Sequence, residues 1–190
     1  LEGSAIPFPY GDAAALEQLL DLYSGEVAAI MMEPLRSDMP PEGYLEHVRR
    51  LATKHNVVLI FDEVSTGFRM SAAGVQPVVG TIPDMAVFAK SISNGYAMGA
   101  VVGKRDVMEP AARMFVSSTY WSDTIGLRAA LTTLREVRQR DVPTKLQKLG
   151  RHLKKSLNEV AAETGCPVSC VGIDTHPRLE FDVDASLTAQ

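Results

Sequence analysis

The sequence is poor in cysteine, in tryptophan and in long apolar runs, and each shortage excludes a class of protein. Two cysteines and one tryptophan occur among 190 residues. Two cysteines are too few for the disulfide framework of a small secreted domain, so we expect a reducing compartment, the cytoplasm. No apolar run approaches the 18 residues that a membrane-spanning helix needs, so we expect no membrane partner.

Positive charge is also in short supply. Lys and Arg number 19 against 23 Asp and Glu, which gives a formal net charge of −4. A mildly acidic chain is a poor candidate for nucleic-acid binding, so we expect no such partner. The 46% hydrophobic and 22% charged residues suit a globular protein with a substantial core. The chain begins at Leu1 and ends at Gln190 without a recognisable closing element, so we expect an internal fragment of a longer protein.

Helical and strand patterns alternate along the first part of the chain. Amphipathic helices are predicted over residues 12–23, with Asp12 as N-cap, and over residues 42–54. Continuous apolar runs at 27–32 and 57–61 predict strands that are buried on both faces. This strand–helix–strand order predicts a parallel pair with a right-handed crossover.

Shorter apolar segments predict further strands, and the pattern changes near residue 125. The other elements expected are a loop over 65–84 with one short helix, strands at 85–89, 97–102 and 114–116, helices at 124–140 and 142–164, the second capped by Asp141 and ended by Gly165, and strands at 167–172 and 178–183. We therefore predict an α/β fold with a mostly parallel sheet and flanking helices over residues 1–124. Residues 125–190 would begin a small α+β domain.

Acidic residues follow the first two predicted strands. Glu33 follows the first strand, and Asp62 and Glu63 follow the second. In open parallel sheets, ligands bind beyond the carboxyl ends of the strands. Each carboxylate is therefore either a ligand group or a loop cap, and the topology favours neither.

An apolar strand that ends in Asp62-Glu63 also suits the magnesium-binding strand of a P-loop ATPase. That function requires a Gly-x-x-x-x-Gly-Lys-Ser/Thr loop. The nearest segment, Gly99 to Arg105, is one residue short and lacks the hydroxyl. Because the loop could precede Leu1, a P-loop ATPase fragment stays open as an alternative.

Lys90 directly follows the apolar segment 85–89 and precedes a Ser/Gly-containing turn. A lysine in apolar sequence is usually a surface residue with a buried stem. At a strand end near Glu33 and Asp62, partial burial would instead favour the neutral amine, which can attack a carbonyl carbon. A neighbouring carboxylate suits a cofactor whose ring nitrogen must stay protonated.

Two segments carry a family resemblance. Residues 60–69 read IFDEVSTGFR and residues 88–100 read FAKSISNGYAMGA. With Met32-Glu33-Pro34 and the lead-in at 9–12, they resemble the class-III pyridoxal-phosphate-dependent aminotransferases, and within these the glutamate-1-semialdehyde 2,1-aminomutase-like branch. The resemblance covers about residues 5–165.

The resemblance implies a fold, a cofactor and a reaction. The fold is the fold-type-I large domain and the start of the small domain, and the cofactor is pyridoxal 5′-phosphate. The reaction is amino-group transfer from a small-molecule amino donor to a carbonyl acceptor, in a homodimer with shared active sites. A truncated, catalytically inactive fragment is compatible with the same resemblance.

The resemblance also implies roles for matching residues. Lys90 would be the Schiff-base lysine and would carry the proton between the substrate and the cofactor. Asp62 would bind the pyridinium nitrogen, and Val64 would pack on the ring face. Ser118 and Thr119 lie where the family places a threonine that bonds the cofactor phosphate of the other subunit.

Some positions depart from the family pattern or keep two roles. Residues 120–123 read YWSD where the family often has Gly-Gly-Asn-Pro, so Trp121 either reshapes the substrate mouth or packs, and packing is favoured. Asp38 stands where many ω-aminotransferases have Glu, which leaves the substrate specificity open. Glu33 would support the active site or pair with a neighbour as a structural carboxylate, and the two roles are equally favoured.

Cys166, Cys170 and His176 could be read as three metal ligands. Thiols buried in strands are the favoured interpretation, because no fourth ligand stands out. We therefore expect no metal site.

Overall fold

The computed structural model describes residues 3–182, which form a four-stranded sheet with helices and a two-stranded hairpin on a long helix. Residues 183–190, which include the end of the predicted strand 178–183, lie outside the described residues. The elements in chain order are α1 (Ala13–Leu22), β1 (Ala29–Met32), α2 (Tyr44–Lys54), β2 (Val58–Asp62), α3 (Gln76–Val79), β3 (Met85–Phe88), β4 (Ala100–Gly103), α4 (Arg105–Met108), α5 (Thr124–Gln139), α6 (Val142–Thr164), β5 (Val168–Val171) and β6 (Arg178–Phe181). Two 3₁₀ turns cover Lys90–Ile92 and Glu109–Arg113.

The main sheet has the strand order β1-β2-β3-β4. β1, β2 and β3 are parallel, and β4 runs antiparallel to β3. The parallel β1–β2 pair with α2 between its strands confirms the predicted parallel pairing. The carboxyl ends of β1, β2 and β3 therefore meet at one edge of the sheet, where the segments after residues 32, 62 and 88 begin.

The core lies between the sheet and the helices α1 and α2. Both helices form as their sequences predict. Asp12 caps α1, because its Oδ1 accepts a hydrogen bond from Ala15 N at 2.9 Å. The predicted apolar face of α2 is buried and consists of Tyr44, Leu45, Val48, Leu51 and Ala52. Leu59 and Phe61 on β2 have no exposed surface. Burial of each such side chain contributes about 1.5–3 kcal/mol.

Asp84, just before β3, joins three elements through one carboxylate. Its oxygens accept hydrogen bonds from Leu59 N at 2.8 Å, Arg49 Nη1 at 2.7 Å and Lys104 Nζ at 2.7 Å. Burial acts to raise the pKa of Asp84, but the Leu59 N–H and the two cations outweigh it and bring the pKa to about 2. A buried charge is tolerated here because each oxygen is bonded.

Two of the predicted strands differ from expectation. β1 is buried on one face only, since Met31 is 56% exposed and Ala29 is also exposed. β1 is the edge of the described sheet, and no described helix covers this outer face. Residues 114–116 are not a strand: they follow the second 3₁₀ turn, pair with no described strand, and leave Phe115 97% exposed.

The part beyond residue 124 forms as predicted in its elements. β5 and β6 pair antiparallel, and the hairpin packs against α6. Gly165 is the C-cap of α6, as predicted. Its backbone is left-handed (φ +66°), and its N–H donates to the Ala161 carbonyl oxygen. Asp141 starts the helix differently from the prediction, because its backbone is left-handed (φ +45°) and its side chain makes no cap hydrogen bond. Between residues 3 and 182, no helix is long and apolar enough to cross a bilayer.

Candidate active site

Asp62 and Lys90 follow adjacent parallel strands at the carboxyl edge of the sheet. Asp62 is the last residue of β2 and lies opposite Val87 in the parallel β2–β3 register. The pairing continues one residue further, where Glu63 N donates to Val87 O at 2.9 Å. Lys90 follows the end of β3 by two residues. Parallel pairing therefore places both residues at the same sheet edge.

Lys90 has a left-handed backbone, and its side chain is exposed rather than partly buried as the sequence suggested. Its φ is +48°, and it starts the first 3₁₀ turn. Side chains with a Cβ rarely adopt this region, which costs on the order of 1 kcal/mol or more. Its Nζ donates to Ser65 Oγ at 2.7 Å, and the next residue is anchored because Ser91 Oγ donates to Gly67 O at 2.8 Å. The loop after β2 therefore fixes the direction of the amine.

The half-buried Asp62 carboxylate is only partly engaged. Its Oδ1 accepts a hydrogen bond from Val64 N at 2.9 Å, which turns the chain directly after β2. None of the described hydrogen bonds uses its second oxygen, Oδ2. A carboxylate with one fixed oxygen and one open oxygen can receive a ligand N–H in a defined direction.

Glu63 holds the segment that follows the site. It has no exposed surface, and its Oε2 accepts a hydrogen bond from Val75 N at 2.8 Å. Burial raises the pKa of Glu63, and the bonds from Val75 N–H and the Gln76 side chain lower it only in part. Gly74 has φ +81°, and a Cβ there would lie 2.5 Å from Glu63 Oε2. Only glycine lets the loop approach the carboxyl so closely.

Glu33 follows β1 and pairs with a neighbour. Its Oε2 lies 2.6 Å from Arg36 Nε, and its side chain is 28% exposed. The structural-carboxylate role is therefore present in the geometry. Burial, Tyr44 and the Glu33 charge raise the pKa of Tyr10 to about 12, which keeps that phenol neutral.

Ser118, Thr119 and Trp121 belong to an exposed turn before α5. All three are exposed, and Trp121 N donates to Ser118 O at 3.2 Å in a turn. No hydrogen bond in the described part of the chain joins this turn to Asp62 or Lys90. Trp121 is 67% exposed, so the favoured packing role is not met by any described element.

Two residues that were given no role from the sequence adjoin Lys90. Ser65 binds Lys90, and Arg69 Nε donates to Ser65 O at 2.6 Å. Both belong to the motif at 60–69, so a hydroxyl three residues after Asp62 was a usable signal. His176, considered from the sequence only as a metal ligand, lies in the loop between β5 and β6, where burial and the charges of Arg69 and Lys90 lower its pKa.

Residues 99–105 do not support the P-loop ATPase alternative. Residues 100–103 form β4, antiparallel to β3, and α4 after it has only four residues. A phosphate loop needs a strand, a glycine loop and a full helix whose N–H groups face the phosphates. Lys104 instead pairs with Asp84 at 2.7 Å.

Cys166, Cys170 and His176 do not form a metal centre. Both thiols are free, and Cys170 is buried in β5 as expected, whereas Cys166 is exposed. Within residues 3–182, no group of three or more His, Cys, Asp or Glu side chains is placed to hold a metal ion.

Comparison with known proteins agrees with this geometry. The class-III aminotransferase family model matches residues 11–170. The chain is 36% identical over 189 residues to 3-aminobutyryl-CoA aminotransferase of Cloacimonas acidaminovorans, covering 93% of this chain and 44% of that protein. It is 35% identical over 185 residues to glutamate-1-semialdehyde 2,1-aminomutase of Natranaerobius thermophilus, covering 94% and 43%. The chain thus spans less than half the length of these curated relatives.

Solved structures share the fold. Acetylornithine aminotransferase from Elizabethkingia anophelis superposes with a TM-score of 0.82 at 26% identity, over 96% of this chain and 50% of that one. The FumI protein of Sphingopyxis sp. MTA144, in its pyridoxal-phosphate form, superposes with a TM-score of 0.88 at 24% identity, over 94% and 45%. These structures share the α/β fold of this chain. The chain belongs to the class-III aminotransferase family.

Proposed function

We propose that the protein transfers amino groups with pyridoxal 5′-phosphate, as an aminotransferase or as an aminomutase of the glutamate-1-semialdehyde type. The observation that carries the proposal is the pair formed by Lys90 and Asp62 at the ends of adjacent parallel strands. A small-molecule amino donor and a carbonyl acceptor would be the substrates. The curated relatives include both reaction types, and a single-substrate isomerisation assay separates them.

The donor set at the sheet edge fits the cofactor. Lys90 Nζ bonds to the neutral hydroxyl of Ser65, and no ion pair within residues 3–182 fixes its charge. The open Oδ2 of Asp62 can accept the N–H of a ring nitrogen. When bound, pyridoxal phosphate supplies an electron sink for the negative charge that develops at the substrate Cα.

The residues of the chain then have separate tasks. Lys90 would hold the cofactor and would move a proton at the substrate Cα. Asp62 would bind the ring nitrogen and keep it protonated, and Ser65 would orient the amine of Lys90. Val64, half-buried next to Asp62, would pack on the ring. The bond between Glu63 and Val75 N–H holds the loop that follows Asp62.

We further propose a homodimer in which Ser118 and Thr119 reach the cofactor phosphate of the partner. Exposure of both hydroxyls beside the exposed apolar segment 114–116 supports a surface that meets another subunit. Trp121 would border the substrate entrance, and Glu33 would support the site through Arg36.

Location and domain division complete the proposal. The two free thiols are compatible with a reducing compartment, the cytoplasm. The large cofactor-binding domain would comprise residues 1–124, and residues 125–190 would start the small domain.

The first prediction concerns Lys90 and Asp62 in the full-length enzyme. Borohydride reduction with peptide mapping should place the pyridoxyl label on Lys90, because its amine lies at the site. Asp62→Asn preserves an oxygen for Val64 N–H but cannot hold the ring proton, so Cα deprotonation should slow by several orders of magnitude. Asp106→Asn, the same change on α4, should leave the rate unchanged. A label on Lys104 contradicts the assignment, as does near-normal turnover of Asp62→Asn.

The second prediction tests the shared site. Lys90→Ala and Thr119→Ala homodimers should each be weak, whereas mixing the two proteins should recover activity. One site of a hybrid dimer then combines an intact Lys90 with an intact Thr119 from the neighbour. Subunit exchange is verified with differently tagged chains, and confirmed exchange without recovery argues against a shared site.

A further inference from the structure

The turn after β3 holds Lys90 in a backbone conformation that lysine does not favour. Ala89 is extended, Lys90 is left-handed with φ +48°, and Ile92 N donates to Ala89 O at 3.2 Å. A residue with a Cβ leaves the left-handed region readily unless other contacts hold it there. The contacts around this turn therefore decide where the amine lies.

The loop after β2 supplies a rigid surface for the turn. Gly67 is buried, and its N–H donates to Glu63 O at 2.8 Å. A Cβ at Gly67 would lie 2.7 Å from Cδ1 of Phe88, the last residue of β3, and 2.8 Å from Glu63 O. The rings of Phe68 and Phe88 pack with their centroids 5.0 Å apart. The carbonyl oxygen of Gly67 is therefore fixed relative to the end of β3.

Ser91 joins the lysine turn to this surface. Its side chain is half-buried, and its Oγ donates to Gly67 O at 2.8 Å. Ile92, the next residue, is buried in the core. The backbone on the carboxyl side of Lys90 is thus attached to the β2 loop by a hydroxyl group and to the core by an apolar side chain.

The same loop also receives the far end of the lysine side chain. Lys90 Nζ donates to Ser65 Oγ at 2.7 Å, two residues before Gly67. Because the Lys90 side chain is exposed, burial contributes little to its orientation. Its direction depends on one hydrogen bond at the amine and on one at the following residue, Ser91.

We propose that Ser91 is a positioning residue for Lys90, because its bond to Gly67 O keeps the lysine backbone left-handed and the amine at Ser65. The inference rests on the proposed amino-transfer function, since it concerns the attachment of the cofactor aldehyde to Lys90. In that step the neutral amine nitrogen forms a double bond to the aldehyde carbon, and the aldehyde oxygen leaves as water with both amine hydrogens. Ser91 does not touch these atoms. It increases the fraction of molecules in which the amine has the reactive direction.

The test measures how fast the full-length apoenzyme attaches pyridoxal 5′-phosphate, and pyridoxal without the phosphate, to Lys90. Borohydride trapping with peptide mapping counts only the label on this residue. Ser91→Val and Ser91→Thr have the same shape, but only threonine keeps the hydroxyl. Ser91→Val should slow both reactions about threefold to tenfold, as expected for one lost hydrogen bond, and Ser91→Thr should stay within about twofold of wild type.

An equal effect on both aldehydes indicates the amine rather than phosphate binding as its origin. Ser91→Ala, a smaller change, should slow both reactions as Ser91→Val does. Equal rates for Ser91→Val and Ser91→Thr overturn the proposal, as does a loss confined to the phosphorylated aldehyde.

A matched control separates positioning from stability. Ser71 is also half-buried, and its Oγ donates to Gly74 O at 2.6 Å, but none of its described hydrogen bonds reaches residues 90–92. Ser71→Val should lower the melting temperature about as much as Ser91→Val and leave both labelling rates unchanged. Equally slow labelling in the two variants overturns the proposal. The amino-transfer function itself fails by a different result, the absence of a pyridoxyl label on Lys90 of the wild-type enzyme.

Discussion

Glu63 carries a carboxylic acid with no exposed surface directly after Asp62. One of its oxygens bonds to Val75 N–H, and the Gln76 side chain also acts to lower its pKa. Because burial raises the pKa of Glu63, folding favours its protonated form. The stabilising contribution is full below the unfolded pKa of about 4.3 and is lost as pH rises through the higher folded pKa.

Glu63→Gln should therefore alter how the free energy of unfolding depends on pH. Gln retains an oxygen for Val75 N–H but never ionises, so the variant should gain stability relative to wild type as pH rises from about 4.5 to 8. The free energy of unfolding from urea denaturation at several pH values measures this. Glu109→Gln, at an exposed position, serves as control. A constant difference between variant and wild type at all pH values would show that Glu63 has no raised pKa.

At the scale of secondary-structure elements, Asp84 connects α2, β2 and the end of β4. Asp84→Asn preserves an oxygen for Leu59 N–H and removes the charge that Arg49 and Lys104 face. We expect a loss of about 2 kcal/mol at pH 7, since hydrogen bonds to charged groups contribute about 1.5–3 kcal/mol. The folded pKa of about 2 lies below the unfolded one, so the loss should shrink as pH falls from about 4 to 2. Thermal unfolding across this range measures it.

The control for this experiment is Asp106→Asn on α4, an exposed position. It should leave the melting temperature nearly unchanged at every pH. A loss for Asp84→Asn that stays the same down to pH 2 would contradict the role of its charge.

The elements whose formation depends on neighbouring residues were predictable from the sequence. α1, α2, α5 and α6 lie within two residues of expectation at each end, because caps and apolar spacing act locally. The exposed face of β1 and the missing strand at 114–116 depend on which other segments cover them. A pattern of apolar residues does not contain that information.

The candidate site divides in the same way. Asp62 and Lys90 could be placed together because parallel strands of known order end at one edge. The Ser65–Lys90 bond and the position of His176 could not. Contacts such as Asp38–Arg178 join residues 140 positions apart, and only the folded chain shows them.

At the scale of the whole molecule, apolar surface remains exposed in several places. The largest such side chains on β1, in the 114–121 region and along α6 are Met31, Met114, Phe115, Tyr120, Trp121, Leu149, Leu153 and Leu157. Exposed apolar patches of this kind usually mark surfaces that meet other protein.

The 190-residue chain alone should therefore self-associate and lose added pyridoxal phosphate during dialysis. Light scattering coupled to size exclusion should give a mass that rises with concentration, and Phe115→Asp should lower it. Leu22→Asp, at another exposed apolar position, controls for added charge. A concentration-independent monomer that retains the yellow cofactor band and transaminates would contradict this expectation.

At position 90, the left-handed backbone favours a residue other than lysine, whereas the proposed reaction needs the lysine amine. Glycine adopts φ +48° without strain and asparagine does so more readily than lysine, so either substitution would relax the turn while removing the amine. Selection for catalysis must hold lysine there against a steady gain in stability from its loss. In relatives that no longer carry out the reaction, we therefore expect glycine or asparagine at position 90, because either residue stabilises the turn.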